Sequence, residues 1–247
     1  MKWNTTLYQN KHDFVAEYGK ALLEHIADDK TQAILDVGCG TGELTHELSQ
    51  KANTVIGIDY SESMIQMAKE KHPKIEFHVM DACNLTWQNH FDVVFSNAVF
   101  HWIEDQSKLL GSIYRALKYD GKLICEFGAH GCVDKIRTTF QRVLKTYGHS
   151  DFLRFYFPKT QEYSKLLNQV GFKIEMITDF DRPTVLKDGK FGLRNWLKQF
   201  YSADLSNFNE SQQNDIFEKI EDSLYSDLWD GKQWIADYRR IRVVALR

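Results

Sequence analysis

Short apolar runs alternate with amphipathic segments along the first half of the chain. The runs predict five buried strands, at 32–37, 54–58, 75–80, 91–96 and 122–127. Between them, apolar residues recur at helical spacing, which predicts helices at 12–26, 43–51, 61–71 and 106–117. This alternation indicates a parallel sheet covered by helices on both faces. Ligands of such sheets bind beyond the carboxyl ends of the strands.

The second half of the chain is predicted to be mainly helical. The same patterns place helices at 133–146, 161–170, 191–201 and 212–224. Strands are predicted at 173–179 and 238–246, so a long helical insertion, 187–234, separates the last two strands. An insertion of that length at a sheet edge is a candidate lid or substrate wall.

The amino-acid composition indicates which class of protein this is and which partners are not expected. The chain has 247 residues, 43% of them hydrophobic, and a formal net charge of -3, which fits one globular domain without a broad basic face. We therefore expect no nucleic-acid partner. The four cysteines form no C-x-x-C pair, and we find no signal peptide and no long apolar run. These features predict a cytoplasmic protein with no membrane segment, as a monomer or homodimer.

The most informative segment is a glycine-rich loop between a predicted strand and a predicted helix. It reads Asp36-Val37-Gly38-Cys39-Gly40-Thr41-Gly42, so a ligand could lie directly against the backbone at the helix start. The spacing G-x-G-x-G differs from the dinucleotide fingerprint G-x-G-x-x-G. The acid before the glycines also favours a cationic ligand over a pyrophosphate. A tight turn without a ligand is the alternative.

This loop resembles motif I of the class I S-adenosylmethionine-dependent methyltransferases, and the order of elements over 32–127 is similar to that family. The resemblance implies an α/β fold with a doubly wound, seven-stranded, mainly parallel sheet whose last strand is antiparallel. It implies S-adenosylmethionine as cofactor, S-adenosylhomocysteine as product, and no metal. We then expect a single domain, 1–247. Its parts are an N-terminal helical cover at 1–30, a cofactor-binding core at 31–128, a substrate-side region at 129–235 and the last strand at 236–247.

The second predicted strand ends on an acid. The Asp59 carboxylate can accept hydrogen bonds from both ribose hydroxyls of a bound nucleoside. Dinucleotide-binding proteins share this placement, and helix capping by Asp59 or Ser61 is the alternative. Tyr60 and Met64 follow and are predicted cofactor contacts, with Met64 either against the adenine or in the core.

The third and fourth predicted strands also end on polar residues. In the resembling family, the acid at the third strand end accepts from the adenine amine, which assigns that role to Asp81 with the Ala82 backbone beside it. A solvated loop acid is the alternative. The fourth strand end lies beside the methionine part of the cofactor, which assigns Asn97. The pair His101-Trp102 resembles the trans-aconitate methyltransferase-like subset, which methylates small organic acids.

The predicted methyl transfer requires few catalytic side chains. A carboxylate acceptor needs no base, whereas a hydroxyl or amine acceptor would need one, and His101 is then the candidate. A packing or substrate-binding role is the alternative for His101, and Trp102 is a further substrate-side candidate. Near the N-terminus, Tyr8 and His12 are predicted to help cover the cofactor.

The helical insertion supplies three more substrate or lid candidates. They are Arg194, Trp196 and Tyr201, among which the arginine could pair with a substrate carboxylate. Packing inside the lid is the alternative for all three. The leading hypothesis is methyl transfer to a small molecule, such as a carboxylate oxygen of an organic acid. Other readings are a protein, lipid or RNA methyltransferase, a non-catalytic S-adenosylmethionine sensor and a nicotinamide oxidoreductase.

Overall fold

The computed structural model describes residues 19–152 and 155–247. The strands are β1 Ala33–Val37, β2 Thr54–Asp59, β3 Glu76–Val79, β4 Phe91–Asn97, β5 Leu117–Gly128, β6 Lys173–Asp181, β7 Thr184–Val185, β8 Ile235–Ala236 and β9 Arg239–Leu246. The helices are α1 Glu43–Ser49, α2 Glu62–Lys71, α3 Gln106–Ala116, α4 Asp134–Lys145, α5 Thr160–Val170, α6 Gly192–Phe200, α7 Ser202–Leu205 and α8 Glu210–Leu228.

Seven strands form one sheet in the order β3-β2-β1-β4-β5-β9-β6. The pairs β1–β2, β2–β3, β1–β4 and β4–β5 are parallel, and β9 runs antiparallel to both β5 and β6. The predicted doubly wound, mainly parallel sheet with an antiparallel last strand is therefore confirmed. The chain winds outward from β1 in one direction and then in the other, which opens a crevice at the carboxyl ends of β1 and β4.

Each face of the sheet buries its own apolar cluster. One cluster packs α3 and α5 against residues such as Leu35, Val94 and Phe127. The other packs the short 3-10 helix Lys20–His25 against residues including Ile34 and Phe95. Because both faces are covered, the central strands are apolar at nearly every position, as the sequence pattern predicts.

A third apolar cluster lies outside the sheet and joins α4 to the helical insertion. It contains residues of α6, α7 and α8, together with Trp234. The two-residue strands β7 and β8 pair at the base of the insertion through Thr184↔Ala236 and Val185↔Ile235. The insertion is thus closed into a compact unit with its own core.

Three details differ from the sequence-based prediction. The fifth strand begins at Leu117 rather than at Lys122, because Leu117 pairs with Phe91 and a bulge follows before the regular ladder. The pair β7–β8 was not predicted, since two-residue strands carry no periodicity. Within the described part, the first predicted helix ends as the 3-10 turn Lys20–His25, and its earlier residues lie outside that part. No helix between residues 19 and 247, among those described, is long and apolar enough to cross a membrane.

Candidate active site at the carboxyl edge of the sheet

The three glycines of the loop after β1 all have positive φ, at 73° for Gly38, 55° for Gly40 and 89° for Gly42. Their surroundings differ. A Cβ on Gly38 would lie 2.1 Å from a methyl carbon of Val99, so packing alone demands glycine there. Among the residues that the structure describes, a Cβ on Gly40 would meet no atom within 4 Å. The loop therefore leaves open space directly over the Gly40 backbone, the feature that a cofactor cradle requires.

Two carboxylates beside the loop, those of the buried Asp36 and the partly buried Asp59, have no basic partner in the described part of the chain. Asp36 is 2% exposed and accepts a 2.6 Å hydrogen bond from the Thr45 hydroxyl. Burial raises the pKa of Asp36 to about 7, and the charge of Asp59 adds to that increase. Burial also raises the pKa of Asp59, although backbone N–H groups oppose the shift. Uncompensated acids of this kind fit a cationic ligand.

The Asp59 carboxylate also holds the loop itself. One oxygen accepts from the Gly40 N–H at 3.0 Å, and the other accepts from the Ser61 N–H at 2.8 Å. The Ser61 side chain caps α2 by accepting from the Met64 N–H. Each carboxylate oxygen has a further lone pair, so the contacts leave capacity for ligand hydroxyls. Both sequence-based interpretations, capping and ligand binding, remain compatible with this geometry.

The remaining cofactor candidates take up different environments. Cys39 and Met64 are buried, whereas the Tyr60 ring is 76% exposed. Asp81 caps a short 3-10 turn that starts at Ala82, accepting from the Cys83 N–H at 2.9 Å. Its position at the end of β3 brings it to the same sheet edge as Asp59, because β2 and β3 pair in parallel. The predicted convergence of acids at one edge thus follows from the sheet order.

The end of β4 carries a strained backbone. Asn97 is the last residue of the strand, and Ala98 follows with a φ of 61°, which is unusual for a residue with a Cβ. The Ala98 N–H donates to the Glu126 carbonyl at 2.7 Å, which holds the turn. A Cβ on Gly19 would lie 2.8 Å from the Asn97 amide nitrogen. Gly19 therefore lies directly against the Asn97 side chain.

His101 lies in the 3-10 turn after β4 and is 8% exposed. The Gly128 N–H donates to His101 Nδ1 at 3.3 Å, so in the neutral ring the proton is on Nε2. Burial lowers the pKa of His101 well below its ordinary value, and the charge of Arg240 lowers it further. The imidazole is consequently a neutral group with a hydrogen-bond donor rather than a ready base.

An aromatic wall joins His101 to the helical insertion. The His101 ring centroid lies 5.8 Å from Phe157 and 6.3 Å from Phe155. Trp102 packs edge-on against Phe155 at 4.9 Å and stacks on Phe200 of α6 at 6.2 Å. The turn after β4 and the insertion thus enclose one side of the crevice with rings.

The three insertion candidates have different surroundings. Arg194 donates through Nε and Nη2 to Glu221, both at 2.7 Å, so this edge of its guanidinium is occupied. Trp196 is buried and donates from Nε1 to the Tyr238 hydroxyl at 2.7 Å. Tyr201 is fully buried, yet its hydroxyl has no hydrogen-bond partner among residues 19–152 and 155–247. Tyr8 and His12, the predicted cofactor cover, lie outside the described residues.

Sequence reasoning missed a cluster of arginines at the start of β9. Glu126 is 1% exposed and accepts hydrogen bonds from both Arg182 and Arg242. Arg240, on the same strand as Arg242, is 6% exposed and pairs with no carboxylate of the described part. The signal was the sequence 239–242, where arginines interrupt an apolar strand.

Comparison with known proteins agrees with this geometry. The family described as "Methyltransferase domain" matches residues 35–125. An uncharacterized methyltransferase of Schizosaccharomyces pombe is 32% identical over 98% of this chain and 97% of its own length. Trans-aconitate 2-methyltransferase of Variovorax paradoxus is 29% identical over 50% of the chain and 49% of its own. The crystal structure of an S-adenosylmethionine-dependent methyltransferase from Mesorhizobium loti shares 20% identity, covers 95% of this chain and 99% of its own, and gives a TM-score of 0.58.

Proposed function

This chain belongs to the class I S-adenosylmethionine-dependent methyltransferase family, and we propose that it methylates a carboxylate oxygen of a small organic acid. One observation carries the choice of acceptor. The only histidine in the turn after β4, His101, is buried and neutral, with Nδ1 accepting from Gly128. Such a group donates a hydrogen bond well and removes a proton poorly, so it suits an acceptor that is already ionised.

The cradle for S-adenosylmethionine is assigned to residues 31–128. The fit rests on the open space over Gly40, on Asp59, which accepts from the Gly40 N–H, and on the buried carboxylate of Asp36 in the strand before the loop. We assign the ribose to Asp59 and the adenine edge to Asp81 with Ala82. The methionine part is assigned to the region between the glycine loop and Asn97. No three His, Cys, Asp or Glu side chains converge as a metal site in the described ranges.

When bound, S-adenosylmethionine supplies a methyl group on a positively charged sulfur, and the sulfur departs with the bonding electrons as a neutral thioether. The protein has then to orient the acceptor and to exclude water. His101 donates from Nε2 to an acceptor oxygen and so fixes its direction. The rings of Trp102, Phe155 and Phe157 close that side of the crevice. A carboxylate acceptor loses no proton, so no residue need take one.

The name of one relative also supports an organic acid as the acceptor. Trans-aconitate 2-methyltransferase, which the chain matches over half its length, takes its name from a small polycarboxylate. The aromatic wall beside His101 supplies a flat face, and Arg240 of β9 supplies a positive charge near it, which suits a conjugated acid. Four free cysteines, three of them buried, fit the reducing cytoplasm that we propose as its compartment.

The test is an acceptor screen with purified protein and methyl-labelled S-adenosylmethionine. The panel contains organic acids, the amides of the same acids, phenols and primary amines. We expect label in an alkali-labile product and matching S-adenosylhomocysteine for acids alone. Transfer to an amine or phenol with acids inert would overturn the proposed acceptor. Binding of S-adenosylhomocysteine without transfer to any member would favour the sensor reading.

A further inference from the structure

We propose that Arg240 and the Tyr201 hydroxyl form an anion subsite that anchors a second oxyanion of the acceptor, apart from the group that receives the methyl. This inference rests on the proposed function, because the subsite would serve the same acceptor. It assigns a specificity role to two residues on different elements, β9 and the turn between α6 and α7. The oxyanion is a carboxylate or a phosphate, which share the chemistry that an arginine and a hydroxyl recognise.

Arg240 lies at the carboxyl edge of the parallel strands. It is opposite Gly128 in the β5–β9 ladder, and Arg242 is opposite Glu126. Because side chains alternate along a strand, Arg240 extends from the same sheet face as Arg242. A Cβ on Gly128 would meet Phe157 and Cys132 on that face, so Arg240 extends toward the aromatic wall. Its guanidinium carbon lies 4.7 Å from the centre of the Tyr238 ring.

The charge on Arg240 has no counter-ion in the described part of the chain. The neighbouring arginines are all satisfied: Arg182 and Arg242 share Glu126, and Arg239 pairs with Asp179 and Asp181. No described residue accepts a hydrogen bond from the Arg240 side chain, although the residue is only 6% exposed. Keeping a buried guanidinium unpaired is costly, so a ligand anion is its natural partner.

The second observation is the hydroxyl of Tyr201. The residue is 0% exposed, and its hydroxyl is a buried polar group without a hydrogen-bond partner in the described part of the chain. Its ring packs on Trp196 at 5.9 Å, and Trp196 donates to the Tyr238 hydroxyl. Tyr238 is also the ring beneath Arg240, so a single aromatic residue links the unpaired hydroxyl to the unpaired guanidinium. Burial raises the pKa of both Tyr201 and Cys132; the charge of Arg240 opposes the rise at Cys132, and Cys132 adds to the rise at Tyr201, so Cys132 lies close to both groups.

The subsite adjoins the proposed reaction centre. Gly128 donates to His101 Nδ1 and is also the ladder partner of Arg240. Phe155 contacts both ends, with ring distances of 6.3 Å to His101 and 5.8 Å to Tyr201. An acceptor with two acidic groups can therefore place one beside His101 and the other at Arg240. This arrangement would select polyacids over monoacids.

The test is calorimetric titration of the S-adenosylhomocysteine-loaded full chain with trans-aconitate and, separately, with inorganic phosphate. The variants are Arg240→Met, Tyr201→Phe and, as matched control, Arg239→Met, which alters the adjacent arginine on the opposite sheet face. We expect Arg240→Met to weaken anion binding by about 100-fold and Tyr201→Phe by about tenfold. Arg239→Met should stay within about twofold of the unaltered protein, because its partners are on the surface.

Each outcome separates the two proposals. If trans-aconitate binds more tightly than phosphate, the oxyanion at the subsite is a carboxylate. If phosphate binds more tightly, the oxyanion is a phosphate. Either result supports the subsite when Arg240→Met weakens the binding. Anion binding that Arg240→Met leaves intact, or no binding of either anion to the loaded protein, would overturn it. Failure of S-adenosylhomocysteine itself to bind would instead remove the proposed function. The melting temperature of ligand-free Arg240→Met should equal or exceed that of the unaltered protein, which excludes misfolding as the cause.

Discussion

The Thr45 hydroxyl donates a 2.6 Å hydrogen bond to the carboxylate of Asp36, and this is the one side-chain hydrogen bond that the carboxylate makes in the described structure. Asp36 is 2% exposed, and burial raises its pKa to about 7. A single hydroxyl compensates poorly for a buried negative charge. The free protein therefore holds a destabilised acid where we place the cationic cofactor.

Asp36→Asn should affect stability and cofactor affinity in opposite directions. Between its ordinary pKa of 3.8 and about 7, the folded state retains a proton that the unfolded chain has lost. Stability therefore falls as the pH rises through this window. The full difference corresponds to about 4 kcal/mol above pH 7, which asparagine avoids. Thermal melts should give the variant the higher melting temperature at pH 8 and a smaller gain at pH 5. A lower melting temperature at pH 8 would refute this assignment.

Cofactor affinity should depend on pH through the same acid. Below about pH 7 the free protein protonates Asp36, and binding of a cation then has to release that proton. We expect the dissociation constant of S-adenosylmethionine to rise about tenfold from pH 8 to pH 6. The rise should be smaller for S-adenosylhomocysteine, which lacks the sulfonium charge. Calorimetry in buffers of different ionisation enthalpy measures the proton directly, and Asp36→Asn is the control that should show no pH dependence.

Two glycine substitutions should separate folding from binding. Gly38→Ala places a Cβ 2.1 Å from Val99, so we expect a loss of about 2 to 4 kcal/mol in unfolding free energy. Gly40→Ala meets no neighbour and should cost only about 1 kcal/mol for its positive φ. Its methyl group would nevertheless fill the space over the loop and weaken cofactor binding at least about tenfold. Equal cofactor affinity for Gly40→Ala and the unaltered protein would argue against this loop as the cradle.

Arg194 should contribute to the stability of the insertion and not to the binding of the acceptor. Its guanidinium makes two 2.7 Å hydrogen bonds to Glu221 in a partly buried pair. Arg194→Met should lower the unfolding free energy by about 1 to 3 kcal/mol, with KM for the acceptor within about twofold. Glu221→Gln is the matched partner variant and should behave alike. A large rise in the acceptor KM for Arg194→Met that Glu221→Gln does not show would instead support the substrate-binding role that the sequence suggests for Arg194.

His101 should act as a donor that does not titrate in the working range. Burial and the Arg240 charge keep its pKa well below the ordinary value, so kcat should be flat from pH 6 to pH 8.5. His101→Gln can still present an N–H and should retain more activity than His101→Leu, which should lose about 100-fold. A rate that declines below a pKa near 6.5, absent in His101→Gln, would show that the imidazole is a base after all.

The sequence predicted the sheet because each strand is marked by residues within or next to the strand itself. Each central strand is mainly apolar and ends near a glycine or a polar residue, and the glycine-rich loop follows β1 directly. The position of Asp36, Asp59 and Asp81 at one edge then follows from parallel pairing alone. The short β7–β8 ladder was not predicted, because Thr184 and Ala236 are 52 positions apart and two-residue strands show no periodic pattern.

The acceptor side could not be predicted in the same way, because it depends on pairing between distant residues. Nothing in the sequence near Arg194 reveals that Glu221 will occupy it, and the arginines of 239–242 differ in their sheet face and in the β5 residue opposite each of them. Arg239 reaches surface acids, Arg242 reaches buried Glu126, and Arg240 reaches neither. A one-residue alternation thus distinguishes a surface ion pair from a candidate substrate group.

The most direct test of the account is the proton yield of the reaction. Purified protein, S-adenosylmethionine and the best acceptor of the screen are followed in a pH-stat while S-adenosylhomocysteine is quantified. Methylation of a carboxylate oxygen releases no proton, so we predict a yield near zero for every S-adenosylhomocysteine formed. Release of one proton for each S-adenosylhomocysteine would mean that the acceptor loses a hydrogen, and it would contradict both the carboxylate acceptor and the donor role of His101.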